Sequence, residues 1–134
     1  MAKLKVAQLQ TYVHREKLKN IETVASLLEI VTGEQVDMVT LPEMFACPYD
    51  NASFPLYAEQ EGGELWQKCA SLAKEYGVYL SAGSMPEVDD NRRVFNTAYV
   101  FDREGRQIAK HRKAHLFDIN VQGGQYFKES DTLS

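Results

Sequence analysis

Leu18, Ile21, Val24, Ala25, Leu28 and Val31 recur at helical spacing across residues 14–32, with Arg15, Glu16, Lys19 and Glu22 on the other faces. Two short aliphatic runs, residues 4–9 and 36–41, bracket that helix and have the length of strands. Strand, helix and strand in this order favour a parallel pair crossed by a helix on one face. Gly33 is read as the stop of the helix, and Pro42 ends the second strand by removing a backbone donor.

The pattern then repeats. Gly62-Gly63 opens a second helix with an apolar stripe of Leu65, Trp66, Cys69, Leu72, Ala73 and Tyr76, and Gly77 closes it. Residues 78–84 read as a third strand. Residues 94–101 and 106–110 are two more, joined by Asp102-Arg103-Glu104-Gly105, a loop suited to a hairpin. Residues 45–61 hold Pro48, Asn51, Pro55 and several aromatics without a period, so they read as one long loop. The predicted order is β-α-β-α-β followed by a β-hairpin: an α/β fold with a mixed sheet.

With 134 residues and no repeat or linker, the chain is expected to be one domain. A net charge of −4 and a pI near 5.4 argue against a nucleic-acid partner. No apolar stretch is long enough for a bilayer, and the first ten residues alternate polar and aliphatic side chains, unlike a signal peptide. Cys47 and Cys69 lack framework spacing, which suits a reducing compartment, so a cytoplasmic protein is expected.

Two charged segments carry the chemistry. Leu41-Pro42-Glu43 leaves the second strand, and Lys113 follows the last predicted one. Ligands of open α/β sheets gather beyond the carboxyl ends of strands. A carboxylate sheltered there suits general-base work, and an ammonium suits a developing oxyanion. Taken singly, each is more simply a solvated charge. His111 and His115 share an i, i+4 spacing but lack the rest of a metal motif. Gly62-Gly63 and Gly123-Gly124 are isolated pairs, not phosphate loops. No metal or cofactor is therefore expected.

Six segments in register then resemble the nitrilase, or carbon–nitrogen hydrolase, superfamily. They are Val6-Ala7-Gln8-Leu9-Gln10, Leu41-Pro42-Glu43 with Pro48-Tyr49, Ser81-Ala82-Gly83-Ser84, Phe95-Asn96-Thr97-Ala98, residues 110–118 and Phe127-Lys128-Glu129-Ser130. The Tyr49 region and Phe117-Asp118 look most like the omega-amidase branch. The resemblance implies an α-β-β-α sandwich, of which residues 1–134 would be the N-terminal portion. It implies Glu43 as general base, Lys113 as oxyanion holder, Glu129 as a supporting carboxylate, and Tyr49 and Phe117 as walls for a small amide substrate. It also implies a homodimer or higher homo-oligomer, no cofactor, and a nucleophilic cysteine that this chain lacks. Cys47 is four residues past Glu43 but matches no nucleophile, and Cys69 falls on a core stripe. The expected function is amide hydrolysis by a Glu–Lys–Cys mechanism, with the chain alone inactive. The alternative is a non-catalytic α/β binding or assembly module on the same scaffold. A half-sandwich would also leave one sheet face uncovered.

Overall fold

Val6–Gln8 (β1), Met38–Thr40 (β2) and Tyr79–Ser81 (β3) lie side by side in parallel, with Ala7 opposite Val39 and Val39 opposite Leu80. Side-chain alternation sorts the two faces. Val39 and Leu80 are fully buried, whereas their neighbours Val6 and Tyr79 are 45% and 40% exposed on the other face. The computed structural model describes residues 1–121 and 125–134. The Gly123-Gly124 pair lies outside the described residues.

Lys17–Thr32 (α1) and Glu64–Tyr76 (α3) cover the buried face. Ile21, Val24 and Leu28 from α1 meet Leu65, Cys69, Leu72 and Ala73 from α3 over Val39, Leu80, Tyr99 and Phe101 of the sheet. Gly77 closes α3 at φ 62, the left-handed conformation in which glycine carries no Cβ penalty.

The long strand Val94–Phe101 (β5) turns the sheet from parallel to antiparallel. Along one edge it pairs with Met85–Val88 (β4) and then with the end of β3; along the other it pairs with Gln107–Arg112 (β6). β3 and β4 thus lie in line, interrupted at Ala82-Gly83-Ser84. Asp118–Val121 (β7) and Gln125–Lys128 (β8) form a separate antiparallel pair. A 3-10 turn, Glu129–Asp131, follows. Among the described residues no helix is long and apolar enough to cross a membrane.

Several boundaries differ from the sequence reading. The first helix starts at Lys17 rather than residue 14, because buried Asn20 accepts the His14 N–H at 2.7 Å and donates to its carbonyl at 2.9 Å. Gly33 is right-handed at φ −59; the positive φ after the helix falls on Gln35, at 56°. The loop of residues 45–61 contains a short helix, Ser53–Tyr57 (α2). β4 escapes a periodicity reading because Pro86 and Glu87 interrupt its apolar pattern, yet both are buried. The β7–β8 pair is likewise absent from the predicted order.

Candidate active site

The turn after β2 is built around a close backbone approach. A Cβ on Gly83 would lie 1.9 Å from the Pro42 carbonyl oxygen, and Gly83 has φ +58, so only glycine fits. The Ser84 N–H donates to that same carbonyl at 3.3 Å, and the Leu41 N–H donates to Ser81 at 2.9 Å. Met44 is buried at φ 51, an uncommon conformation for a non-glycine residue. Its N–H is held by the Ser84 hydroxyl at 2.9 Å. Glu43 is locked between these fixed points at the carboxyl edge of the sheet.

Lys113 arrives from the opposite side, one residue beyond β6. Its backbone N–H donates to the Asn96 carbonyl of β5 at 2.8 Å, and its ammonium reaches Glu43 Oε1 at 2.9 Å. Glu129, at the start of the 3-10 turn, completes the cluster. Its Oε2 lies 3.0 Å from Lys113 Nζ, and its side chain is wholly buried. The Glu129 carboxylate also accepts the Tyr49 hydroxyl at 3.0 Å and the backbone N–H of Phe117. The Asn96 amide donates to Glu43 at 2.7 Å and to Glu129 at 3.4 Å, tying the two acids together. The Tyr49 hydroxyl also lies 3.4 Å from Glu43.

One ammonium between two carboxylates has a clear electrostatic outcome. Burial works against the Lys113 charge, but the hydrogen bonds and charges of Glu43 and Glu129 outweigh it and hold its pKa above the ordinary lysine range. Glu129 shows the converse. Its burial favours the neutral acid, yet the Phe117 N–H, Lys113 and the Tyr49 hydroxyl keep its pKa below the usual carboxylate range. Burial, with the two nearby carboxylates, pushes the Tyr49 phenol up to about 12, so it remains a donor at neutral pH. The arrangement is therefore a fixed cation beside a carboxylate that solvent reaches.

Glu43, Gly83, Ser84, Asn96, Ala98, His111 and Lys113 line a cavity of about 230 Å³ on the open face of the sheet. Glu43 is less sheltered than the sequence suggested: its side chain is 48% exposed. Tyr49 and Phe117 sit beside the constellation rather than on the cavity wall. Phe117 is 49% exposed, and its ring centroid lies 6.3 Å from that of Phe127. Neither thiol faces the site. Cys47 is buried with Met44, Phe54, Val94 and Leu133, its Sγ 3.3 Å from the Pro48 carbonyl. Burial, reinforced by Asp50 and opposed by Lys17, pushes that thiol up to about 12. Cys69 is fully buried in the main core, and burial, with the charge of Glu59, raises it to about 12 as well.

A sequence model of the family described as carbon-nitrogen hydrolase matches residues 3–134. The chain belongs to the carbon–nitrogen hydrolase family. Among curated members, it is 41% identical to omega-amidase NIT2 of Xenopus tropicalis and 42% identical to omega-amidase NIT2 of Mus musculus. Both alignments cover 100% of this chain and 48% of the relative. The chain thus spans about half the length of the curated relatives it matches. The crystal structure of Saccharomyces cerevisiae Nit3, a member of branch 10 of the nitrilase superfamily, superposes with a TM-score of 0.83 at 32% identity. That match covers 98% of this chain and 48% of the yeast one, so this carbon–nitrogen hydrolase chain has the nitrilase-superfamily fold across its length.

Asn96, Ser84 and the Phe117 N–H received no role from the sequence. Asn96 carried a signal: an amide in the middle of an otherwise largely apolar strand, buried at 3% exposure. The Phe117 donor belongs to the backbone, so its side chain gives no hint of it.

Proposed function

We propose that residues 1–134 supply the general base and the oxyanion-holding cation of an amidase acting on small carboxamides, with omega-amides of dicarboxylates as the preferred class. The observation that carries this reading is the convergence of Glu43, Lys113 and Glu129 within 3.0 Å contacts from three separate segments. Both buried cysteines are withdrawn from it, so the attacking thiol comes from polypeptide other than these residues. In the reaction the thiol gives its proton to Glu43 as sulfur bonds to the carbonyl carbon. The oxygen takes the π electrons and faces the Lys113 ammonium. The C–N bond then breaks, the departing nitrogen takes the proton from Glu43, and water hydrolyses the thioester to the acid and free thiol. Similarity to the omega-amidases supports the substrate class.

Covering the open sheet face is also the reason to propose that the working protein is a homodimer or larger homo-oligomer. Two free, buried thiols support a cytoplasmic location.

The test is ammonia release from a dicarboxylate omega-amide by residues 1–134 expressed in line with the remaining half of the family's length. Glu43→Gln and Lys113→Ala should each lower turnover by about 10²-fold or more. Full activity in either variant refutes the assigned role. Binding of the amide without turnover in the unmutated protein favours the non-catalytic scaffold instead.

A further inference from the structure

Behind the proposed site, on the helix-covered side of the sheet, a second charged cluster surrounds one buried carboxylate. Glu87 of β4 is 2% exposed, yet its carboxylate is fully partnered. Its Oε2 accepts the Thr97 hydroxyl of β5 at 2.6 Å and Arg112 Nε of β6 at 3.1 Å. Its Oε1 accepts the other arm of Arg112 at 2.6 Å and Lys110 Nζ at 2.8 Å. One carboxylate thereby joins three adjacent strands.

A joint across three strands bears on their register. The β5–β6 ladder is irregular: Phe101 pairs with Gln107, but Val100 already pairs with Ala109, so Ile108 is an extra residue. A ladder with a bulge can be continued in more than one register, and a slip of one residue moves every side chain to the opposite face. Beyond the bulge, Lys110 and Arg112 point to the Glu87 side, while His111 and Lys113 point to the cavity. A slip would take Lys113 away from Glu43 and Glu129. A buried carboxylate paired in this way is a poor source of net stability, and fixing register is the role in which buried polar groups are best attested.

We propose that Glu87 is a positioning residue for the site: it clamps Lys110 and Arg112 and so fixes the strand register that delivers Lys113 to the two carboxylates. This rests on the proposed role of Lys113 only for its catalytic meaning; the positional effect stands without it. The Glu87 carboxyl behaves as a clamped anion, since burial would favour its neutral form but Arg112, Lys110 and Thr97 hold its pKa down to about 2. The guanidinium of Arg112 also stacks 3.9 Å from the Phe95 ring centre, which keeps its fork aimed at Glu87.

The experiment compares the unmutated chain with Glu87→Gln and the milder Arg112→Lys, which keeps a cation but loses the fork. Two readouts are used: amide hydrogen exchange, and NMR titration of the Lys113 ammonium. Exchange of the Lys113 N–H, bonded to Asn96 on β5, should accelerate about tenfold or more. That of the Leu9 N–H, bonded to Thr40 on the distant β1–β2 side, should hold. The Lys113 titration should fall toward the ordinary lysine value, with Arg112→Lys intermediate. If Glu87→Gln does not fold, Arg112→Lys alone decides. Unchanged Lys113 readouts, or equal acceleration at Leu9 and Lys113, overturn the proposal by leaving Glu87 with no more than a general structural part. Because neither readout uses turnover, absent amidase activity would defeat the function proposed above and leave this inference intact.

Discussion

Replacing Lys113 by methionine keeps an unbranched side chain one atom shorter and removes its charge. Glu129 would then keep the Phe117 N–H, the Tyr49 hydroxyl and the Asn96 amide but lose its ammonium partner, with its side chain still at 0% exposure. Breaking a buried pair from one side typically costs 3–5 kcal/mol. Three donors remain and Lys113 is 27% exposed, so the low end applies, about 3 kcal/mol at pH 7. With a urea slope of about 2 kcal/mol per molar, the midpoint should drop by about 1.5 M. The pH dependence follows from the direction of the Glu129 shift. A carboxyl depressed in the folded state adds stability above its unfolded value, about 4.3, and loses it as pH falls through the folded value. The variant lacks much of that contribution, so its deficit should be largest at neutral pH and shrink under acid. Lys113→Met/Glu129→Gln, with no buried charge left in the cluster, should recover at least about 1 kcal/mol relative to Lys113→Met. A deficit below about 1 kcal/mol that is flat from pH 7 to pH 3 would mean that Glu129 is hydrated, and the reasoning would fail.

Three further outcomes can be checked on the same chain. Glu43→Gln should cost less than about 1 kcal/mol in urea unfolding, because the carboxylate is 48% exposed and screened, while abolishing turnover in the joined protein. Gly83→Ala should destabilise by more than the roughly 1–2 kcal/mol of a left-handed alanine, since its Cβ must displace the Pro42 carbonyl; calorimetry reads this directly. Cys47 and Cys69 should resist alkylation at pH 8 in the folded chain and react at once in denaturant, as both are buried with thiols pushed up to about 12; mass spectrometry counts the adducts.

What could be read in advance was what periodicity encodes. Val24 and Leu28, and Leu65, Cys69 and Leu72, mark their helices by spacing alone, and all prove buried over the sheet. The strands β1, β2 and β3 were found but drawn too long, because flanking aliphatics such as Leu4 and Val36 extend the pattern without joining the ladder. β4 was hidden because Glu87 is a buried charge satisfied by side chains 23 and 25 residues on, and no local pattern announces such a partner. The site divides in the same way. Glu43 and Lys113 stand in segments whose resemblance to a family marks them. Glu129 has its supporting place only from the same resemblance, and nothing local in the sequence shows that it is the most buried member of the cluster. Only the tertiary structure brings Tyr49, Lys113 and the Phe117 N–H around it.

A single ammonium is held between two carboxylates at the edge of this sheet, and NMR titration of Lys113 reads that arrangement at the atom concerned. The Lys113 side chain should stay protonated above the ordinary lysine value of about 10.4, and Glu43→Gln and Glu129→Gln should each lower its titration. A Lys113 that titrates at or below that value, unmoved by either substitution, would contradict the account.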